Sequence, residues 1–146
     1  MCTRVLIADD QPRARHSLKA LLTAMRWSTP NDFAQLTYAG AFPIEIVGEA
    51  ENGNEALEQV GVLHPDVVVM DLHPHALTIF EQRPDGLATI EMIKNQWPAI
   101  RIVVLTMYAT DRVSALGAGA DAFLLKGCPT SELLAAMVHP GSADPG

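Results

Sequence analysis

Five positions carry side chains able to act together on a phosphate. Asp9 and Asp10 close one apolar run, Asp71 closes another, Thr106 a third, and Lys126 a fourth. Carboxylates gathered in one place repel each other, and a divalent cation is their natural neutraliser. An all-oxygen set with incomplete protein coordination suits Mg²⁺, which keeps several waters and shares phosphate oxygens. A lysine and a hydroxyl would serve the remaining phosphoryl oxygens. A carboxylate held there is a nucleophile that can form an aspartyl-phosphate. Each residue also has a plainer reading. Asp9-Asp10 ahead of Pro12 suits a helix N-cap, a single lysine is commonly a solvated one, and Phe123 suits a core. His73-Pro74-His75, just past Asp71, raises a transition-metal site. Zinc needs three or four convergent ligands, however, and His16, His64, His139, Cys2 and Cys128 have no matching spacing. A polar loop with solvated histidines is the reading preferred for that pair.

The elements that must position these residues are legible as patterns. VLIA (5–8), IEIVG (44–48), VVVM (67–70), IVVL (102–105) and AFLL (122–125) are short apolar runs without polar alternation, as expected of strands buried on both faces. Between them lie helical periodicities. After Pro12, the residues Ala14, Leu18, Leu21, Leu22 and Met25 share one face. Ala56, Leu57 and Val60 share a face within 53–63, as do Leu87, Ile90 and Ile93 within 86–97. A short helix is expected over 111–118 and another over 130–138, stopped by Pro140-Gly141. Five β-α units in series imply a parallel sheet covered by helices on both faces. Ligands of such sheets gather at the carboxyl ends of the strands, where the five polar residues fall.

With those residues in place, the chain resembles a response-regulator receiver domain, most similar to the NarL-type branch. RVLIADDQPRAR, VGEAENGNEAL, PDVVVMDL, DGLATIEMIK, IRIVVLTM and GADAFLLK carry the likeness. It implies a flavodoxin-like doubly wound (βα)5 fold with strand order 2-1-3-4-5. It also implies that Asp71 is the phosphoacceptor and that Asp9, Asp10, Asp71 and the main-chain carbonyl of His73 hold Mg²⁺. Thr106 and Lys126 would bind the phosphoryl group, and Phe123 would be the switch aromatic. His73 and Tyr108 would tune how long the phosphate lasts. The implied partner is a sensor histidine kinase or phosphotransfer protein, with a homodimer admitted, and the implied outcome is transcription control through an output domain. The domain is expected over 1–139, with 26–43 and 72–84 as loop insertions and 140–146 as a flexible tail.

Three departures from the pattern stand out. Segment 26–43 lengthens the first helix-to-strand connection, and 72–84 lengthens the loop after Asp71. Loops of that length inside compact domains are often functional. The connection from Thr106 to Lys126 is short, which trims the fourth helix. That helix, the fifth strand and the fifth helix form the usual output face of the family, so its standard dimer is in doubt.

Bulk composition narrows the classes. The chain has 146 residues, 49% of them hydrophobic, enough for one packed domain. A net charge of −7 argues against direct nucleic-acid or anionic-membrane contact. No apolar run spans a bilayer, and the early acids exclude a secretory signal. Two unpaired-looking cysteines suit a cytoplasmic setting. An aspartate-nucleophile phosphatase would want an acid where His73 stands. A flavin carrier would want a Ser/Thr/Gly-rich phosphate loop instead of DDQPRAR. A pseudo-receiver signalling by contact alone remains the alternative.

Overall fold

The structure is a computed structural model and describes residues 3–27, 44–71, 86–107 and 109–138. Five strands, β1 (Thr3–Asp9), β2 (Ile44–Ala50), β3 (Val67–Asp71), β4 (Arg101–Thr106) and β5 (Ala122–Leu125), alternate with five helices. These are α1 (Pro12–Trp27), α2 (Gly53–Leu63), α3 (Gly86–Gln96), α4 (Arg112–Ala118) and α5 (Thr130–Val138), with a 3₁₀ turn at Ala109–Asp111 before α4. The strands form one sheet in the order β2-β1-β3-β4-β5, and every pairing is parallel. This is the flavodoxin-like order that the resemblance implied.

The two-residue period of a strand explains how the apolar runs are used. On the central strands, Leu6, Ala8, Val68, Met70, Ile102 and Val104 face one way. They pack on Ala56 and Val60 of α2, Ile90 and Ile93 of α3, and Ala115 of α4. Val5, Ile7, Val67, Val69, Val103 and Leu105 face the other way, onto Leu22 of α1 and Leu133, Leu134 and Met137 of α5. Both faces are therefore dry, and unbroken apolar runs are what such strands require. The edge strands β2 and β5 are only half-buried.

Two helix-face expectations need correction. Leu21 and Leu87 are each 40% exposed. On α3 the inward positions are Gly86, Thr89, Ile90 and Ile93; Leu87 lies off that stripe, and the polar Thr89 is buried in its place. The same helix ends at Gln96, one residue before Trp97, and Pro98 follows.

The turn from α2 to β3 brings the strand carrying Asp71 back to the sheet. His64 ends α2 in the left-handed region at φ 49°, and its N–H donates to the Val60 carbonyl. Arg4 of β1 donates to the carbonyls of Leu63 (2.6 Å) and His64 (3.0 Å), serving the open end of the helix. A non-glycine residue is strained in this conformation. His64→Gly is expected to raise stability by about 1 kcal/mol, the order of the left-handed penalty, measured as a higher urea midpoint. A lower midpoint would show that the imidazole makes contacts worth more than the strain.

Candidate functional site

The parallel register carries two acids to one point. β1 and β3 pair residue for residue from Val5↔Val67 to Asp9↔Asp71, so their last residues lie side by side at the carboxyl edge. Both continue the odd-numbered rows that face α1 and α5, and both are buried, Asp9 to 5% and Asp71 to 8% exposure. Two carboxylates so placed need a cation between them. Lys126 supplies it: its Nζ lies 2.6 Å from Asp71 Oδ2 and 3.1 Å from Asp9 Oδ2.

Lys126 is not the last residue of β5, as the apolar pattern suggested, but the first beyond it. Its backbone N–H donates to the Thr106 carbonyl at 2.7 Å, which extends the β4–β5 ladder by one bond. Gly127 then turns the chain away at φ +95°, a conformation in which a side chain is strained. The ammonium is thus delivered from a turn anchored on β4. Thr106 is 1% exposed and ends the even-numbered row of β4, the row facing α2, α3 and α4. Phe123 packs against the same side, opposite Val104 in the ladder. The guanidinium of Arg112 on α4 stands 6.0 Å from the centre of its ring. Phe123 is thus partly buried against the core, on the face that Thr106 shares.

The two carboxylate oxygens of Asp9 have different partners, and the first closes a two-residue turn ahead of α1 instead of capping the helix, which begins at Pro12. Oδ1 accepts from the Gln11 N–H at 2.9 Å as α1 begins, while Oδ2 faces Lys126. Burial pushes the Asp9 carboxyl above its ordinary value of 3.8, with the charge of Asp71 adding to the push, and the Gln11 N–H and Lys126 only partly offset it. On Lys126 burial acts downward, but hydrogen bonds to Asp71 and Asp9 and their charges outweigh it, so its value rises above 10.5. The same bridge wins on the lysine and loses on the more deeply buried aspartate.

Asp10 follows directly at the end of β1 and is half-buried. Among the described residues no group of three or more His, Cys, Asp or Glu side chains is gathered closely enough to hold a metal. The structure therefore brings Asp9, Asp71 and Lys126 into one cluster, with Asp10 and Thr106 at neighbouring strand ends and not in a closed cage. His73, Tyr108 and most of 26–43 and 72–84 lie outside the described residues. A cavity of about 240 Å³ reaches the cluster beneath α1, walled by Ile7, Leu18, Leu21, Val69 and Leu105. Its apolar walls strengthen the charge interactions at its mouth. Two contributors escaped the sequence reading, Arg15 and Glu49, whose side chains meet behind Asp9 at 3.2 Å. The usable signal was Arg15, one turn past the acids.

A five-stranded parallel sheet in this order, with carboxylates and a lysine at its switch-point edge, defines a flavodoxin-like receiver fold. The response regulator domain of CheB from Thermotoga maritima shares that fold at TM-score 0.71 and 23% identity, over 99% of this chain and 100% of that one. A profile of the response regulator receiver domain matches residues 42–138, and the chain belongs to that family. It is 30% identical over 139 residues to response regulator protein VraR of Staphylococcus saprophyticus, covering 94% of this chain and 56% of that protein. It is 30% identical over 141 residues to the nitrate/nitrite response regulator protein NarL of Escherichia coli K12, covering 95% and 54%. The chain spans about half the length of these curated relatives. It is a two-component receiver domain of the NarL type, a signalling module. No helix among the described residues is long and apolar enough to cross a membrane.

Removing the ammonium would leave two buried carboxylates facing each other. Lys126→Met is expected to destabilise the metal-free protein at pH 7 by about 2 kcal/mol, below the usual cost of breaking a buried pair because the lysine is partly exposed. Since folding raises the lysine's value, its contribution is complete below pH 10.5 and fades as pH climbs through the higher folded value. The gap in denaturant midpoint between wild type and variant should therefore narrow above pH 10.5. A constant gap would show that the bridge is not the source.

Proposed function

We propose that this domain accepts a phosphoryl group on Asp71 from a phosphohistidine of a sensor kinase or phosphotransfer protein, and that the modification switches an output. The observation that supports this reading most is the lysine bridge, a buried carboxylate with an ammonium at 2.6 Å on the switch-point edge of the sheet. The donor set is made of hard oxygens, and a single lysine faces the two buried carboxylates, which fits Mg²⁺. Asp9, Asp10 and Asp71 would hold the ion, together with the carbonyl of His73. When bound, it neutralises negative charge on the carboxylates and the phosphoryl oxygens.

The protein's own residues carry the steps. Asp71 Oδ attacks phosphorus as the phosphorus–nitrogen bond of the phosphohistidine breaks, and the departing imidazole keeps the electron pair. Lys126 exchanges Asp71 Oδ2 for a phosphoryl oxygen, so the site stays charge-matched. The Thr106 hydroxyl donates to another phosphoryl oxygen, and Phe123, on the same side of the sheet, follows it. Water later attacks phosphorus and returns the carboxylate with release of inorganic phosphate. Positioning and charge matching supply most of this catalysis. His73 and Tyr108 flank the acceptor and the threonine in sequence and are assigned to the lifetime of the phosphate.

In this reading residues 1–139 are one receiver unit in the cytoplasm, with 26–43 and 72–84 as insertions and 140–146 as a tail. In relatives about twice as long, the remainder provides room for an output domain, so the longer protein would control transcription and this domain would not touch nucleic acid itself. Incubation with a small phosphodonor and Mg²⁺ should add one phosphoryl group by intact mass. Asp71→Asn or a chelator should remove the signal almost completely. Modification that survives Asp71→Asn would overturn the assignment of Asp71. No modification of the wild type would favour a pseudo-receiver acting by contact alone.

A further inference from the structure

α1 opens as Pro12-Arg13-Ala14-Arg15, and its fourth residue turns back toward the strand it has just left. Arg15 Nη1 donates to the main-chain carbonyl oxygen of Asp9 at 2.7 Å. Its Nε donates to Glu49 Oε1 on β2 at 3.2 Å, and the side chain is 15% exposed. The other carboxylate oxygen of Glu49 accepts from Lys19 Nζ, also at 3.2 Å. Glu49 is itself fixed from α2, where the Gln59 side-chain amide donates to its carbonyl. The guanidinium thus ties together α1, the end of β1 and the end of β2.

The atom it holds matters. The β1–β2 ladder ends at Ala8↔Ala50, one residue short of Asp9. The Asp9 carbonyl belongs to the peptide that leads into Asp10, and peptides are planar. Fixing that oxygen fixes the plane, and with it the direction in which Asp10 leaves the strand. Two separated acceptors are met at once, one main-chain and one carboxylate, by two different nitrogens held in one rigid plane, a geometry that the single nitrogen of a lysine does not reproduce. Glu49 faces the guanidinium and offsets part of its charge, so the fork holds the main-chain oxygen with its cationic end turned toward a carboxylate. We infer that Arg15, oriented by Glu49, is a positioning residue that sets the divalent-cation affinity of the Asp9-Asp10 pair without touching the ion. The inference rests on the reading of this edge as a Mg²⁺-dependent acceptor site.

Titration calorimetry of Mg²⁺ into the full chain tests both, comparing wild type with Asp10→Asn, Arg15→Ala, Arg15→Lys and Glu49→Gln, each checked for cooperative thermal unfolding. Arg15→Ala should raise the Mg²⁺ Kd roughly 10-fold, the low end for an outer-shell partner. Arg15→Lys should fail to rescue it, and Glu49→Gln should weaken binding in the same direction. The Mg²⁺ concentration for half-maximal phosphorylation should rise by the same factor, while the rate at saturating Mg²⁺ changes far less, a split that a merely destabilised protein would not give. Should Arg15→Ala not fold, Arg15→Lys and Glu49→Gln carry the test. If Asp10→Asn loses binding but folded Arg15 and Glu49 variants bind as wild type does, the positioning role is wrong and the site reading stands. If wild type binds no Mg²⁺, or Asp10→Asn binds it unchanged, the site reading fails and the inference with it.

Discussion

Two buried carboxylates at the ends of adjacent strands, held by one lysine, are the constraint on which this molecule is arranged. Asp9 and Asp71 are opposite each other in the β1–β3 register, and Lys126 contacts both, at 3.1 and 2.6 Å. Like charges at that spacing are unfavourable without a cation, so the lysine contributes to the folded state itself. Its delivery explains otherwise incidental features. Lys126 is tied to β4 through the Thr106 carbonyl, and Gly127 takes the left-handed turn that lets the chain leave at once. Asp71, Thr106 and Lys126 are thereby indexed to three neighbouring strands of one sheet.

The two ends of the lysine bridge are electrostatically unequal. The lysine bridge is strong enough to raise the ammonium's value, yet Asp9 is still pushed toward its neutral form by burial. A cation entering here would find carboxylates already desolvated by the apolar walls under α1, where its interactions with them are strengthened. A phosphoryl group entering would find the lysine already paired with the atom it modifies.

Beyond the site, the chain departs from a minimal receiver where departures can change signalling without changing chemistry. α4 has only seven residues, and Val113, Leu116, Met107 and Leu125 around it are exposed. Arg112 stands over Phe123 on that side, so the ring opposite β4 is covered from α4 by a charged side chain. The exposed apolar residues lie off the two core clusters, which take their packing from the central strands. Variation there leaves the sheet intact.

Much of this was written in the chain. The five apolar runs gave the strands to within a residue or two, because the three central strands, dry on both faces, require unbroken apolar segments, and the half-buried edge strands keep enough of that pattern to be seen. The acids, threonine and lysine at the run ends identified the edge, because a parallel sheet brings all strand ends of one sense together. Periodicity alone misassigned Leu21 and Leu87, since an apolar stripe does not say which flank meets the sheet. Burial of Thr89 required the packed helix to show it. The sequence by itself determined the fold and its order of elements, because those follow from local patterning and spacing, and it named the polar residues that end the apolar runs. Only the tertiary structure decided that Lys126 bridges Asp9 and Asp71, and that Arg15 and Glu49 meet behind the acidic pair. Those contacts join residues 117 and 34 positions apart, and register between strands, which no local pattern encodes, sets them.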